Sequence, residues 1–329
     1  MKYIFSFIII AILTACKQGT NDKVLITNIT GELNDVLVVL NKTDINSVVD
    51  STIKSTLEYP FLGLPQEEVS FKAIIIDREG FNNFFQLYRN IIDLKISSNF
   101  TDNKVFFGED VYAKTQSYLK IEVKSTADAI EIFNKNAEKI RKFFKEAEIQ
   151  RLQKSYANKF SEPIMKSNMS KFGIKVEIPA NYKLDKDLPH FSWISFESPD
   201  MSQGILIYDY PYIDTTQFNE KQLLTSRDSI LKLNVEGPTK DSYMTTEHRF
   251  PIYREVNVNK EGMYTVTLRG LWKVENDFMG GPFISYSFPS KDNTRIICID
   301  AYVYNPKKDK RNFIMQMEAI LKTAEYTKD

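Results

Sequence analysis

Only two histidines, His190 and His248, are available for imidazole chemistry. That is too few for a His-rich metal site, and each reads first as a surface or hydrogen-bonded loop residue. The Gly-rich phosphate loop, the G-x-S-x-G elbow, H-E-x-x-H and paired C-x-x-C are all absent. Asn257-x-Asn259-x-Glu261-Gly262 opens like a calcium loop but meets Leu268 where the last bidentate Glu belongs. Two local features remain. In RGLWKVENDFMGGP, Arg269 and Trp272 enter a stretch ending in Gly280-Gly281-Pro282. Glycines allow close backbone approach, so Arg269, Trp272, Gly280 and Gly281 form a candidate ligand loop, beside the plainer expectation of a turn between strands. Lys307, Lys308, Lys310 and Arg311 stand at the expected start of the last helix. A solvated charge run partly balanced by Asp309 is the plainer expectation; because cations there oppose the positive end of the helix dipole, a bound phosphate or anionic headgroup that relieves them is the alternative. No cofactor motif and no metal-ligand set follow.

Cys16 is different because its position carries information. Lys2 is followed by an apolar run from Tyr3 to Leu13, then by Thr14, Ala15 and Cys16, the order of a secretory signal. The run is shorter than the roughly 20 residues that a membrane-spanning helix needs. Leu13-Thr14-Ala15-Cys16 resembles the bacterial lipoprotein signal, which implies cleavage before Cys16 and acylation of its thiol and new amino terminus. Several acyl chains hold a protein on a bilayer far more firmly than one. Lys17 stands where enteric inner-membrane lipoproteins carry an aspartate, which points to an outer membrane, with the periplasmic or surface face left open.

Lys plus Arg equals Asp plus Glu at 43 each, so no net field draws the chain to nucleic acid. Hydrophobic residues make up 43%, the content of a folded globular protein. The length of 329 residues exceeds what one core usually organises, so two domains are expected. With Cys16 lipidated, Cys298 has no intramolecular disulfide partner, and its place in Ile296-Ile297-Cys298-Ile299 reads as a buried small thiol.

The elements that must position these residues alternate in type. After residues 1–15 (signal) and 16–34 (tether), strands are expected at 36–40, 71–76, 91–96, 104–107 and 118–123. Phe81, Phe84, Phe85 and Tyr88 have helical spacing and predict a helix with an aromatic core face. Ser125 and Asp128 form a capping-box pattern that starts the clearest helix, with Ile130, Phe133, Ala137, Ile140 and Phe144 inward. From about 171 the chain is strand-rich, with Ile174, Val176 and Ile178 alternating. A helix is expected at about 217–233, and a last helix from about Pro306.

GLPQ at 63–66, Phe81-Asn82, Tyr88-Arg89-Asn90, Phe191-Ser192-Trp193, RGLW at 269–272, MGGP at 279–282 and VYNPKKDKR at 303–311 resemble a family of uncharacterised Bacteroidota envelope lipoproteins, a domain of unknown function. The resemblance implies the lipoprotein address and a shared fold, and no activity. Phe172 to Pro179 and the closing strand and helix are loosely similar to the Mog1/PsbP-like α-β-α sandwich.

The sequence thus predicts an α+β protein with mixed or antiparallel sheets: residues 35–160 form an N-terminal domain with a closing helix, and 161–329 a C-terminal domain. The expected role is binding or scaffolding without catalysis, anchored to the membrane through lipid on Cys16, with other envelope proteins as partners. Two alternatives stand: a hydrolase assembled from sequence-distant groups such as Arg269, Asp209 and His248, or a carrier of a small apolar ligand.

Overall fold

β1 (Asp35–Leu40) carries the run VLVVL, and all six of its residues are buried, as a strand inside a parallel sheet must be. The computed structural model describes residues 28–258 and 262–327; the expectations for Cys16, the signal and 259–261 of the calcium-like stretch lie outside the described residues. The first sheet has the order β2-β1-β3-β5-β4. β2 (Lys72–Asp77), β3 (Asn90–Ile96) and β5 (Ser117–Val123) run parallel to β1, and β4 (Lys104–Glu109) closes one edge antiparallel. Because side chains alternate along a strand, Val36, Val38 and Leu40 meet α1 (Val48–Leu57) and α2 (Thr126–Tyr156). Leu37, Val39 and Ile91 face the other way, toward Phe81, Phe85 and Tyr88.

Those aromatics are not on a helix. Residues 78–80 and 85–87 form single 3-10 turns instead. The Asn82 side chain accepts from the Phe84 amide at 3.1 Å, a local bond that diverts the backbone from helical pairing. The apolar spacing is used as a cover over the outer sheet face, with Phe84 left exposed. Residues 28–34, expected as the end of a tether, are also docked: Thr30 bridges to Tyr88, and the Asn34 amide donates to Glu148 at 3.3 Å.

The second half begins with a helix the periodicity did not single out, α3 (Glu162–Phe172), with Pro163 in its first turn and Gly173 in the left-handed conformation at its end. Of the alternating stretch 174–178, only β6 (Ile174–Lys175) pairs, with β15 (Glu325–Tyr326). The large sheet is antiparallel throughout, in the order β10-β12-β13-β14-β9-β8-β7 with β11 also on β12. Its strands are β7 (Lys183–Leu188), β8 (Phe191–Glu197), β9 (Ser202–Pro211), β10 (Tyr243–Thr246), β11 (Tyr253–Val258), β12 (Tyr264–Glu275), β13 (Gly280–Pro289) and β14 (Arg295–Tyr304). α4 (Glu220–Asn234) covers one face through Leu223, Leu224 and Leu231, and α5 (Arg311–Leu321) covers the other through Ile314, Met317 and Ile320. The described residues form an α+β protein with one mixed sheet, one large antiparallel sheet and the two-stranded β6/β15 ribbon.

The two sheets are joined through α2, α5 and an arm at residues 59–71. Glu148 of α2 is wholly buried and takes bonds from Arg89 (2.8 and 2.6 Å) and Asn90 (2.7 Å); it does not lie on a solvated face. Farther along α2, Ile149 packs with Met315 and Ala319 of α5. Phe61 and Leu64 of the arm pack against the core of the second half.

Candidate functional site

Arg269 and Trp272 stand three residues apart on one strand, so they point to opposite faces of the large sheet. The expected ligand loop is therefore split. β12 continues through Glu275, the turn is confined to residues 276–279, and Gly280 and Gly281 are already in β13, opposite Lys273 and Trp272. The glycines are needed for close packing. A Cβ on Gly281 would lie 2.1 Å from the Val303 carbonyl oxygen and 3.1 Å from the indole nitrogen of Trp272, which donates to that same carbonyl at 3.3 Å.

On the Trp272 face lies a cavity of about 590 Å³, within the range of small-molecule sites. Trp272 and Tyr302 are buried at its floor, their rings edge to face with centroids 5.4 Å apart. Trp193, Tyr304 and Met279 are half-buried lining residues. The Trp193 indole donates to the Tyr302 hydroxyl at 3.1 Å. Gly204 makes the ring placement feasible: a Cβ there would come within 2.1 Å of the Tyr302 ring. Burial holds the Tyr302 phenol well above its ordinary pKa despite the bond from Trp193, and the charge of Glu197 adds to the rise.

On the Arg269 face, a cleft of about 1430 Å³ is lined by residues of both halves. Its floor is an ion cluster around Glu318 of α5. Arg269 approaches one carboxylate oxygen at 2.7 Å and Lys145 of α2 the other at 2.9 Å, while Lys322 pairs with Glu146 at 2.7 Å. Burial pushes the Glu318 carboxyl up, but Arg269, Lys145 and Lys322 outweigh it and hold the group well below the carboxylate range. Phe61 of the arm lies 5.9 Å from the guanidinium, and Gly63 abuts the Arg269 Cβ. Arg269, Lys145 and Lys322 hold the halves together here through their carboxylate partners.

The basic cluster is also accounted for within the chain. α5 starts at Arg311, not near Pro306, because Lys307 adopts a left-handed φ of 62° and ends any helical continuity. The anion at its N-terminus is Glu68 of the arm, which accepts from the amides of Lys310 (2.7 Å) and Arg311 (2.9 Å). Lys310 Nζ donates to Gln66 and to the Lys308 carbonyl, Arg311 donates to the Val69 carbonyl, and Lys308 pairs with Asp200. Lys307 is exposed on the turn. The four cations do not converge on a vacant anion site.

Arg269, Asp209 and His248 are not brought together. Asp209 binds His190 at 2.6 Å and also Arg295, His248 binds Asp228 at 2.7 Å, and Arg269 is committed to Glu318. Cys298 is buried beside Ser287, and burial pushes its thiol up to about 12, so it is a packing residue and not a nucleophile. Sequence reasoning did not single out Tyr302 and Tyr304. Their Tyr-x-Tyr alternation at the end of β14 places both rings on the Trp272 side and was the available signal.

Residues 29–157 match a family described as a domain of unknown function (DUF8532), and residues 161–323 match another, also a domain of unknown function (DUF4837). The chain thus carries two domains of unknown function. No curated protein matches it. Among solved structures, the Ran-binding protein Mog1p of Saccharomyces cerevisiae aligns over 47% of this chain and 90% of its own, at 8% identity and a TM-score of 0.31. A mutant of Protein Mog1 aligns over the same shares at 7% identity and 0.31. An uncharacterized protein from Rhizobium leguminosarum aligns over 37% of this chain and 91% of its own, at 10% identity and 0.15. Scores this low carry no functional argument.

Proposed function

We propose that this is a lipid-anchored protein of the bacterial envelope, akin to the Bacteroidota lipoproteins, that binds a small organic molecule in the aromatic cavity beside Trp272 and performs no catalysis on it. The observation that carries the binding role is that cavity, about 590 Å³ lined by both tryptophans of the chain together with Tyr302, Tyr304 and Met279. Aromatic walls bind by burial and shape, and the polar and charged groups set among them orient what enters. Support for the address is the signal-like start closing on Leu13-Thr14-Ala15-Cys16. No helix among the described residues is long and apolar enough to cross a membrane.

Two measurements test the two parts. Cells fed labelled palmitate should transfer label to the wild-type protein and not to Cys16→Ser; label on the variant would contradict the anchor. The full protein, extracted natively from envelopes and then denatured for mass spectrometry, should release a small molecule that Met279→Arg, with a charged chain across the pocket, does not retain. Equal recovery from both proteins, or turnover in a hydrolase screen unaffected by Met279→Arg, would contradict the binding role.

A further inference from the structure

We infer that the aromatic cavity selects an organic cation, a ligand bearing a quaternary or tertiary ammonium group. This rests on the pocket reading above and adds the charge of what enters. Trp193, Trp272, Tyr302 and Tyr304 line one volume, and aromatic faces attract a cation within about 6 Å of their centroids through the ring quadrupole. The charged residues around these rings are unbalanced: three carboxylates, Glu197, Asp200 and Glu236, line the cavity against the single ammonium of Lys308. Lys308 is engaged by Asp200 at 3.0 Å. Glu197 is exposed where it lines the cavity and accepts only a neutral donor, the Ser202 hydroxyl at 2.5 Å. Glu236 is exposed at the rim.

Beside burial, which is the main cause, the charges of Glu197 and Asp185 also raise the Tyr302 phenol. An anionic ligand would meet the same carboxylates at a penalty, and a neutral one would gain nothing from them. On the opposite face of β12, Arg269, Lys145 and Lys322 are paired with Glu318 and Glu146.

The two tryptophans of the sequence both line the cavity, so tryptophan emission reports on this site alone. The mature protein is titrated with choline and, separately, with 3,3-dimethylbutan-1-ol, which has the same shape with carbon in place of the charged nitrogen. Choline should change the emission saturably, with the alcohol binding at least tenfold more weakly. Glu197→Gln and Glu236→Gln should each weaken choline severalfold at unchanged Tm. If the alcohol binds as tightly as choline, the cation inference falls and the pocket reading stands. If neither ligand changes the emission, the cation inference also falls, and the copurified-ligand experiment judges the pocket independently. Full choline affinity in both Glu variants would likewise overturn it.

Discussion

The two faces of β12 begin from one strand and end in different chemistry. On the Arg269 face, Glu318 is buried against Arg269 and Lys145 across the junction of the halves. On the Trp272 face, rings and glycines leave a volume unfilled, and the rim carboxylates outnumber the one cation. The lesson is that a buried charge cluster in a large cleft need not be a binding site. Partners within 3 Å mark it as a fastening, whereas unoccupied space between well-fixed rings marks a place for something else.

The largest expected effect tests the fastening. Glu318→Ala leaves Lys145 and Arg269 without their carboxylate, and stranding buried charges of this kind costs about 3–5 kcal/mol, read by chemical denaturation. A loss below about 1 kcal/mol would show that the cluster is not holding the halves. The pH dependence follows from the depressed carboxyl of Glu318. Its contribution is fully present above the ordinary Glu value of about 4.3 and is lost only as pH falls through the lower folded-state value. The stability gap between wild type and Glu318→Gln should therefore persist from neutral pH down to about 4.3 and close only below it; a gap that closes between pH 7 and 5 would contradict the assignment.

A smaller effect belongs to the pocket face. In Gly281→Ala the new Cβ meets the backbone oxygen of Val303, so the strands must shift, at about 1–3 kcal/mol, with a change in Trp272 emission. Unchanged emission would mean that Gly281 does not set the indole. The smallest is Glu68→Gln, which leaves the geometry of the α5 cap but removes its charge. A loss of about 0.3–1 kcal/mol is expected, visible as a modest drop in Tm, with choline binding untouched.

Much of the frame was legible in the sequence. VLVVL between polar residues gave a fully buried strand, and Ser125 with Asp128 gave the start of α2, where the Ser125 hydroxyl accepts from the Asp128 amide at 3.2 Å. What escaped was set by contacts distant in sequence. The arm residue Glu68 sits more than 240 residues from the helix it caps, so nothing near the basic run in sequence shows the carboxylate that meets it. Arg269 and Trp272 looked like neighbours in a loop because the strand holding them extends farther than its Gly-Gly-Pro sequel suggested. The aromatic spacing at 81–88 fits a helix, but Asn82 supplies a competing local bond.

The most direct test follows the side-chain nitrogens on both faces of β12 in one nitrogen-15 NMR titration with choline. The sequence holds two tryptophans, so two indole N–H signals report the pocket, while the Arg269 Nε–H reports the cleft. The account predicts that both indole signals move saturably while the Arg269 signal stays in place. Movement of Arg269 with stationary indoles would contradict it.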